Sequence, residues 1–243
     1  FFDLGGHSLK ATKVVSRISR ELEADVALKD IFSYPTIESL SDLIKKSSRR
    51  EYRQIEPVPN QDNYELSNAQ KRLWVLAQFE ENSIAYNMPG AVILKGEFKE
   101  DAFREAYSFI ISRHESLRTV FIEENGEPRQ KILDKSCFNI EVFDLREAED
   151  INKSSELIVR RNFSESFDLS NGPLVRLEVL RTGDDEYLLL FNMHHIISDG
   201  WSRNIFTREF LDAYNGYRKG TSPALTPLRI QYKDYSAWQN SQL

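Results

Sequence analysis

The sequence predicts a protein in two parts, a small helical unit followed by a larger α+β unit. Three observations lead to this prediction. Apolar residues recur at helical spacing through residues 1–46. A polar stretch with two prolines and no amphipathic period then covers residues 47–63. Over residues 64–243, segments of helical spacing alternate with short apolar runs, which is typical of an α+β fold with a largely antiparallel or mixed sheet.

Two helices and a connecting turn are predicted in the first unit. From Ser8 to Leu22, apolar side chains share one face and basic residues lie between them. A second helix is expected after Pro35, with Thr36 as its N-cap, because a threonine hydroxyl can accept a hydrogen bond from the free amides of a first helical turn. A short helical turn over Leu28 to Phe32 is expected to join them.

The stretch 47–63 is predicted to be a linker between the two units. Pro57 and Pro59 favour a semi-extended backbone there. Its seventeen residues span at most about 55 Å when fully extended, so the linker would let the helical unit swing relative to the second unit.

Helices and strands are predicted in alternation through the second unit. Ser67 and Gln70 form a capping box at the start of its first helix. Turn residues mark two hairpins, one at Asn125-Gly126 and one at 183–185. The predicted helices are 67–79, 101–113, 151–163 and 202–217, the last of these being the final helix of the chain, and the predicted strands are 91–94, 117–122, 129–133, 138–143, 174–180 and 186–193.

Composition excludes several functional classes. The net charge of −6 is spread along the chain and leaves no basic stripe for nucleic acid. No apolar run approaches the roughly 18 residues that a membrane span requires, and no signal peptide is recognised. The single cysteine, Cys137, cannot form an internal disulfide, which favours a reducing cytoplasmic location. The chain starts without Met directly in a motif, and we expect it to be a piece of something longer.

The segment from Met193 to Ser202 predicts a reaction centre. It contains His194-His195 and Asp199-Gly200, and it follows an apolar run that is expected to form a buried strand. Imidazole suits proton transfer because its pKa lies near neutrality. Neighbouring side chains on a strand face opposite ways, so only one of the two histidines can address a given site. No third ligand occurs at a useful spacing, and we predict no metal.

A second motif lies at the start of the chain, from Leu4 to Leu9. Two glycines let the backbone turn freely, and Ser8 follows at a helix N-terminus, where free amides favour a phosphate ester. The residues alone fit a phosphate-bearing serine and a serine that only caps the helix about equally well.

This motif at the start of the chain resembles the phosphopantetheine attachment site of peptidyl carrier proteins in nonribosomal peptide synthetases. The matching residues are Phe2, Leu4, Gly5, Gly6, His7, Ser8 and Leu9. The resemblance implies that Ser8 bears a covalent 4'-phosphopantetheine arm. It covers residues 1–46 and implies a partial four-helix bundle whose first helix would lie upstream of Phe1.

Residues 64–243 resemble the N-terminal lobe of the condensation domain of the same enzymes. Four blocks occur in the family's order. They are Ser67-x-Ala69-Gln70-x-Arg72-Leu73-Trp74, Arg113-His114-Glu115-x-Leu117-Arg118-Thr119-x-Phe121, Met193-His194-His195-x-x-x-Asp199-Gly200 with Ser202, and Tyr232-x-Asp234-Tyr235-x-x-Trp238. The resemblance implies a chloramphenicol-acetyltransferase-like α+β lobe, with a second lobe missing from this chain and a tunnel between the two.

The resemblance also implies residue roles. His195 would act as general base on the acceptor amine or orient that amine, and His194 would support it from the other face. Asp199 would pair with Arg113, and Gly200 would leave space and offer a backbone N–H to the reacting thioester. Arg118 and Trp238 are candidates for the substrate tunnel; the alternatives are a solvated helix end for Arg118 and core packing for Trp238.

The function implied is peptide-bond formation in nonribosomal peptide synthesis. Ser8 would carry the donor thioester, and an aminoacyl group on a downstream carrier domain would attack it. Tyr86 to Pro89 resembles domains that take an L-configured donor. The expected partners are an upstream adenylation domain, the missing second lobe and a phosphopantetheinyl transferase, with no nucleic acid and no membrane. The alternatives are an epimerization domain of the same family, which product stereochemistry would identify, and a non-catalytic carrier and docking fragment.

Overall fold

A computed structural model describes residues 1–47, 54–79, 84–134 and 138–242. The chain divides into two compact units, 1–54 and 55–243. Cys137 and residues 48–53 of the predicted linker lie outside the described residues. No helix in the described part of the chain is long and apolar enough to cross a membrane.

In its described residues, the first unit contains the three predicted helical segments as α-helices, after a turn of 3₁₀ helix at Phe2–Leu4. They are α1 (Ser8–Leu22), α2 (Leu28–Ser33) and α3 (Ile37–Lys46). Thr36 caps α3, since its Oγ1 accepts a hydrogen bond from the Ser39 amide at 3.2 Å. Ala11 on α1 and Ile31 on α2 are buried, and these two helices contact each other.

The second unit contains five helices and two sheets in its described residues. A three-stranded sheet has the order β1-β4-β3, and a four-stranded sheet has the order β2-β7-β6-β5. All pairs are antiparallel except β5 with β6. The elements in chain order are β1 (Tyr64–Glu65), α4 (Asn68–Phe79), β2 (Asn87–Lys95), α5 (Glu100–Arg113), β3 (Thr119–Glu124), β4 (Glu127–Ile132), β5 (Glu141–Asp144), α6 (Ile151–Ser164), β6 (Val175–Arg181), β7 (Glu186–His194), α7 (Gly200–Arg218) and α8 (Tyr232–Asn240).

The core of the second unit lies between the larger sheet and the helix pair α5 and α7. Phe103 on α5 packs edge-on against Phe210 on α7 with ring centroids 4.9 Å apart. Ile110 and Met193 are also almost completely buried in this cluster. The burial of such side chains is the main source of stability for a unit of this kind. It fixes β7, the strand that carries the histidines, in the middle of the sheet.

The predicted elements are largely confirmed, with several differences. Strand β2 begins four residues earlier and β5 three residues later than predicted. The final helix of the chain is α8 and not α7, and α8 was missed because the residues it buries are Lys233, Asp234 and Ser236, which give no apolar period. Residues 115–118 form a turn of 3₁₀ helix, so β3 begins two residues later than predicted. The short strand β1 was also missed.

The Asn125-Gly126 hairpin provides a stability test. Both residues have positive φ, 55° and 82°, which is the left-handed conformation that a two-residue hairpin turn requires. We expect Gly126→Ala to lower the free energy of unfolding by about 1 kcal/mol, because a Cβ disfavours this conformation. All three tryptophans lie in residues 55–243, so tryptophan fluorescence during urea denaturation measures the effect.

Gly183→Ala in the other hairpin is the matched control, since Gly183 is not at positive φ and its Cβ would come no closer than 3.4 Å to a neighbouring atom. Equal losses in the two variants would contradict the explanation.

Candidate functional site

Strand β7 fixes the backbone of both histidines. His194 is its last residue and pairs with Asn87 on β2. The hydrogen-bonded pairing of these strands continues one residue beyond β7, because the His195 amide donates to the Tyr86 carbonyl oxygen at 2.8 Å. The two imidazoles therefore leave a paired backbone in opposite directions, as the strand alternation predicted.

His194 faces the interior and is 4% exposed. Its Nδ1 accepts a hydrogen bond from the Ile196 amide at 3.1 Å, so the proton of the neutral ring lies on Nε2. The rings of Tyr86 and Phe167 lie about 6 Å away. Burial, and secondarily the charge of His195, lowers the pKa of His194 to about 4. This ring is therefore uncharged at neutral pH.

His195 faces solvent and has one of its nitrogens fixed. Nδ1 lies 2.7 Å from the carbonyl oxygen of Ser198. A carbonyl oxygen only accepts, so Nδ1 carries the proton and donates it. In the neutral ring, Nε2 then keeps a lone pair. His195 lines an open cleft of about 470 Å³, which we call the histidine cleft.

Side chains from four separate segments line the histidine cleft. Each of the four sequence blocks that resemble the condensation domain contributes residues to this cleft. The first block contributes α4, the second Ser116, the third the histidine loop and the fourth Tyr232. The lining residues are Ala69, Gln70, Arg72, Leu73, Leu76, Ser116, His195, Ile196, Ile197, Ser198, Asp199, Ser202 and Tyr232. Motifs more than 100 residues apart in sequence thus meet at one place.

Asp199 ends the histidine loop by capping α7. Its Oδ1 accepts from the Ser202 amide at 2.7 Å and from the Ser202 hydroxyl. Burial alone would raise the pKa of this carboxyl, but the hydrogen bonds from Ser202 and the Trp201 amide, with the charge of His195, hold it below its usual value. Gly200, the first residue of α7, is exposed and does not line the histidine cleft, and a Cβ there would meet no atom within 4 Å.

The expected pair between Asp199 and Arg113 is wrong. Arg113 ends α5, which packs along α7, and its Nε contacts Glu209 Oε2 on α7 at 2.9 Å. His114 Nε2 lies 2.8 Å from the same oxygen. Burial would raise the pKa of Glu209, but these two partners lower it overall. Glu209 could have been found in the sequence as an acidic residue on the apolar face that Phe206 and Phe210 define.

The second and fourth blocks contact each other through buried polar groups. Lys233 Nζ lies 2.9 Å from Glu115 Oε2, and Gln231 donates to the Arg113 carbonyl oxygen at 2.9 Å. Arg118 donates to the Leu133 carbonyl oxygen at 2.7 Å and does not line the histidine cleft. Trp238 is partly exposed on α8 beside Tyr235 and also lies outside this cleft. The structure therefore does not bring these two tunnel candidates to His195.

Ser8 is the first residue of α1 and is exposed. Among the described residues, the Ser8 hydroxyl has no hydrogen-bond partner. Lys10 contacts the loop that precedes α1, since its Nζ donates to the Gly5 carbonyl oxygen at 3.1 Å. The first amide bonded inside the helix is that of Ala11, which leaves the earlier amides for an anion. A Cβ on Gly6 would approach the Phe1 ring to 2.5 Å, so the loop needs a glycine there. These features fit a phosphodiester on Ser8.

Two family models match the chain. The model of the phosphopantetheine attachment site matches residues 1–44, and the model of the condensation domain matches residues 60–243. The first match indicates a covalently attached 4'-phosphopantetheine. In the described residues, no three His, Cys, Asp or Glu side chains come together in a way that could hold a metal ion.

Curated relatives match nearly the whole chain. Tyrocidine synthase 3 of Brevibacillus parabrevis is 44% identical over 240 residues, which are 99% of this chain and 4% of that protein. Gramicidin S synthase 2 of Brevibacillus brevis is 41% identical over 240 residues, 99% of this chain and 5% of that protein. The chain thus spans less than a tenth of the length of these relatives.

Solved structures match the α+β unit. The starter condensation domain of rhizomide synthetase RzmA has a TM-score of 0.68 and 23% identity, over 75% of this chain and 46% of that one. The X-domain from teicoplanin biosynthesis has a TM-score of 0.68 and 26% identity, over 78% of this chain and 40% of that one. The α+β unit therefore has the fold of condensation domains.

The fold, the four motifs that meet at one cleft and the family models all indicate the same family. The chain belongs to the condensation domain family and carries a phosphopantetheine attachment site ahead of that domain, the order found in nonribosomal peptide synthetases.

Proposed function

We propose that this chain forms peptide bonds as part of a nonribosomal peptide synthetase, with Ser8 carrying the donor and His195 acting on the acceptor amine. The observation that carries the proposal is the fixed imidazole of His195, whose Nδ1–H is held by Ser198 at 2.7 Å in a cleft where four motifs meet. A base held in one tautomer at a cleft wall is the arrangement that general base catalysis requires.

His195 would take a proton from the attacking amine through Nε2. The acceptor nitrogen forms a bond to the carbonyl carbon of the donor thioester, and the carbon–sulfur bond then breaks. The proton that His195 has received goes to the departing sulfur, so no other acid is needed. His194 assists by remaining uncharged, since a second positive ring next to His195 would oppose its protonation.

Asp199 would support this reaction electrostatically and through the backbone. As the N-cap of α7 it fixes the end of the loop whose Ser198 carbonyl oxygen holds His195. Its carboxylate also interacts electrostatically with the His195 ring. Because both actions are indirect, Asp199 is a positioning residue in this proposal.

Ser8 would bear the 4'-phosphopantetheine, which supplies the terminal thiol for the donor acyl group. The free amides at the start of α1 and the cation of Lys10 suit the phosphodiester. An adenylation domain upstream would select the monomer, a phosphopantetheinyl transferase would modify Ser8, and a carrier domain downstream would present the acceptor.

We further propose that the donor is L-configured. The segment Tyr86 to Pro89, which resembles that of L-donor domains, lies directly beside the histidine strand. Tyr86 accepts the His195 amide hydrogen, and Asn87 and Met88 pair with His194 and Met193. A change in this segment would therefore move the backbone of the proposed base.

His195→Ala in the full-length holo protein should reduce dipeptide formation by at least about 100-fold, since it removes the proposed base. Mass spectrometry of the tethered product measures this, and loading of the donor on Ser8 is the internal control because Ser8 lies in the other unit. Undiminished product would refute the assignment of His195.

Ser8→Ala should abolish attachment of the phosphopantetheine arm, because no hydroxyl remains at the start of α1. Intact-protein mass after incubation with coenzyme A and a phosphopantetheinyl transferase gives the result. Ser16→Ala changes an exposed serine on the same helix and should leave attachment intact. Attachment to the Ser8→Ala protein would place the arm elsewhere.

A further inference from the structure

Tyr232 lies at the border of two adjoining clefts. The second cleft has a volume of about 440 Å³, and its walls include His114, Phe206 and Tyr235. Five residues line both clefts: Ser116, Ile197, Ser198, Ser202 and Tyr232. Tyr232 is the only aromatic residue of these five. Tyr232 thus belongs to the wall that the two clefts share.

The phenol of Tyr232 has a hydrogen-bond partner in Ser67. Its oxygen lies 3.0 Å from Ser67 Oγ. Ser67 Oγ also accepts the Gln70 amide at 3.2 Å in the capping box of α4, and either hydroxyl can be the donor in the contact between Ser67 and the phenol. When Ser67 is the donor, the phenol proton of Tyr232 can go to a substrate oxygen in the cleft.

The phenol remains protonated over the working range of pH. Burial raises the pKa of Tyr232 most; the Ser67 contact opposes this, and the charges of Tyr235 and Asp199 raise the pKa further. A phenol is also more acidic than the serine hydroxyls that line the same wall, so it is a stronger hydrogen-bond donor to a developing negative charge.

Attack on a thioester needs such a donor. When the amine nitrogen bonds to the carbonyl carbon, the electron pair of the C=O bond moves to oxygen, and fixed donors stabilise the resulting oxyanion. The expected donor was the Gly200 amide, but Gly200 is exposed and does not line the histidine cleft. Ser202 on the same wall already donates to Asp199. Tyr232, which is 37% exposed and bonded to Ser67, offers a neutral donor on this wall.

We propose that Tyr232 is a further catalytic residue, which donates a hydrogen bond from its phenol to the carbonyl oxygen of the donor thioester. This inference rests on the proposed function. The bond strengthens as charge develops on the oxygen. When the oxyanion collapses, the carbon–sulfur bond breaks, the proton held by His195 goes to sulfur, and Tyr232 keeps its own proton.

Tyr232→Phe tests this proposal in single-turnover amide formation by the full-length holo protein. We expect the rate constant to fall about 100-fold, as for other losses of one oxyanion donor, with little change in the acceptor concentration that gives half the maximal rate. Tyr235→Phe is the matched control. It removes a hydroxyl from the same helix, one that accepts from Gln239 and lies outside the histidine cleft, and should leave the rate near that of the unaltered protein.

A fluorinated tyrosine at position 232 distinguishes catalysis from packing, because it keeps the ring and the hydroxyl but lowers the phenol pKa. The rate should then fall at a lower pH than in the unaltered protein. An unchanged pH profile, or equal rates for Tyr232→Phe and Tyr235→Phe, would overturn the role of Tyr232 while leaving the function in place. Absence of amide product from the unaltered protein would overturn both.

Discussion

The hydrogen bond from His195 Nδ1 to the Ser198 carbonyl oxygen is the constraint on which the site depends. It closes a loop of four residues between the end of β7 and the cap of α7. Because a carbonyl oxygen cannot donate, the bond also decides which nitrogen keeps a lone pair. One backbone group thus fixes both the position and the tautomer of the ring.

The elements on either side of this loop hold it in place. Upstream, β7 is paired with β2 and β6. Downstream, α7 is joined to α5 by Glu209, which contacts both Arg113 and His114. Removing Glu209 would leave the largely buried guanidinium of Arg113 without its partner. The resulting loss of stability would exceed the net stabilisation that the pair provides. The second motif therefore contacts α7 through Glu209, and in the proposed function it supports the histidine loop by this route and not through Asp199.

The sequence predicts the helices well where an apolar period and a cap coincide, as at Ile37–Lys46 with its cap Thr36 and at the capping box of Ser67 and Gln70. Alternation along a strand was enough to predict that the two histidines face opposite ways, and the structure buries His194 and exposes His195. The helix α8 was missed because it buries polar residues, which pair with groups far away in sequence, such as Lys233 with Glu115. The wrong partner for Arg113 has a similar cause. Two acidic residues were available, and only the packing of α5 against α7 selects Glu209 over Asp199.

Nitrogen NMR of the four histidines in the ¹⁵N-labelled chain tests the central claim most directly. The structure predicts that neutral His195 carries its proton on Nδ1, and that His194 carries it on Nε2 and titrates near pH 4. A His195 ring protonated on Nε2 in its neutral form would contradict the account, because the nitrogen that faces the cleft would then have no lone pair to accept a proton.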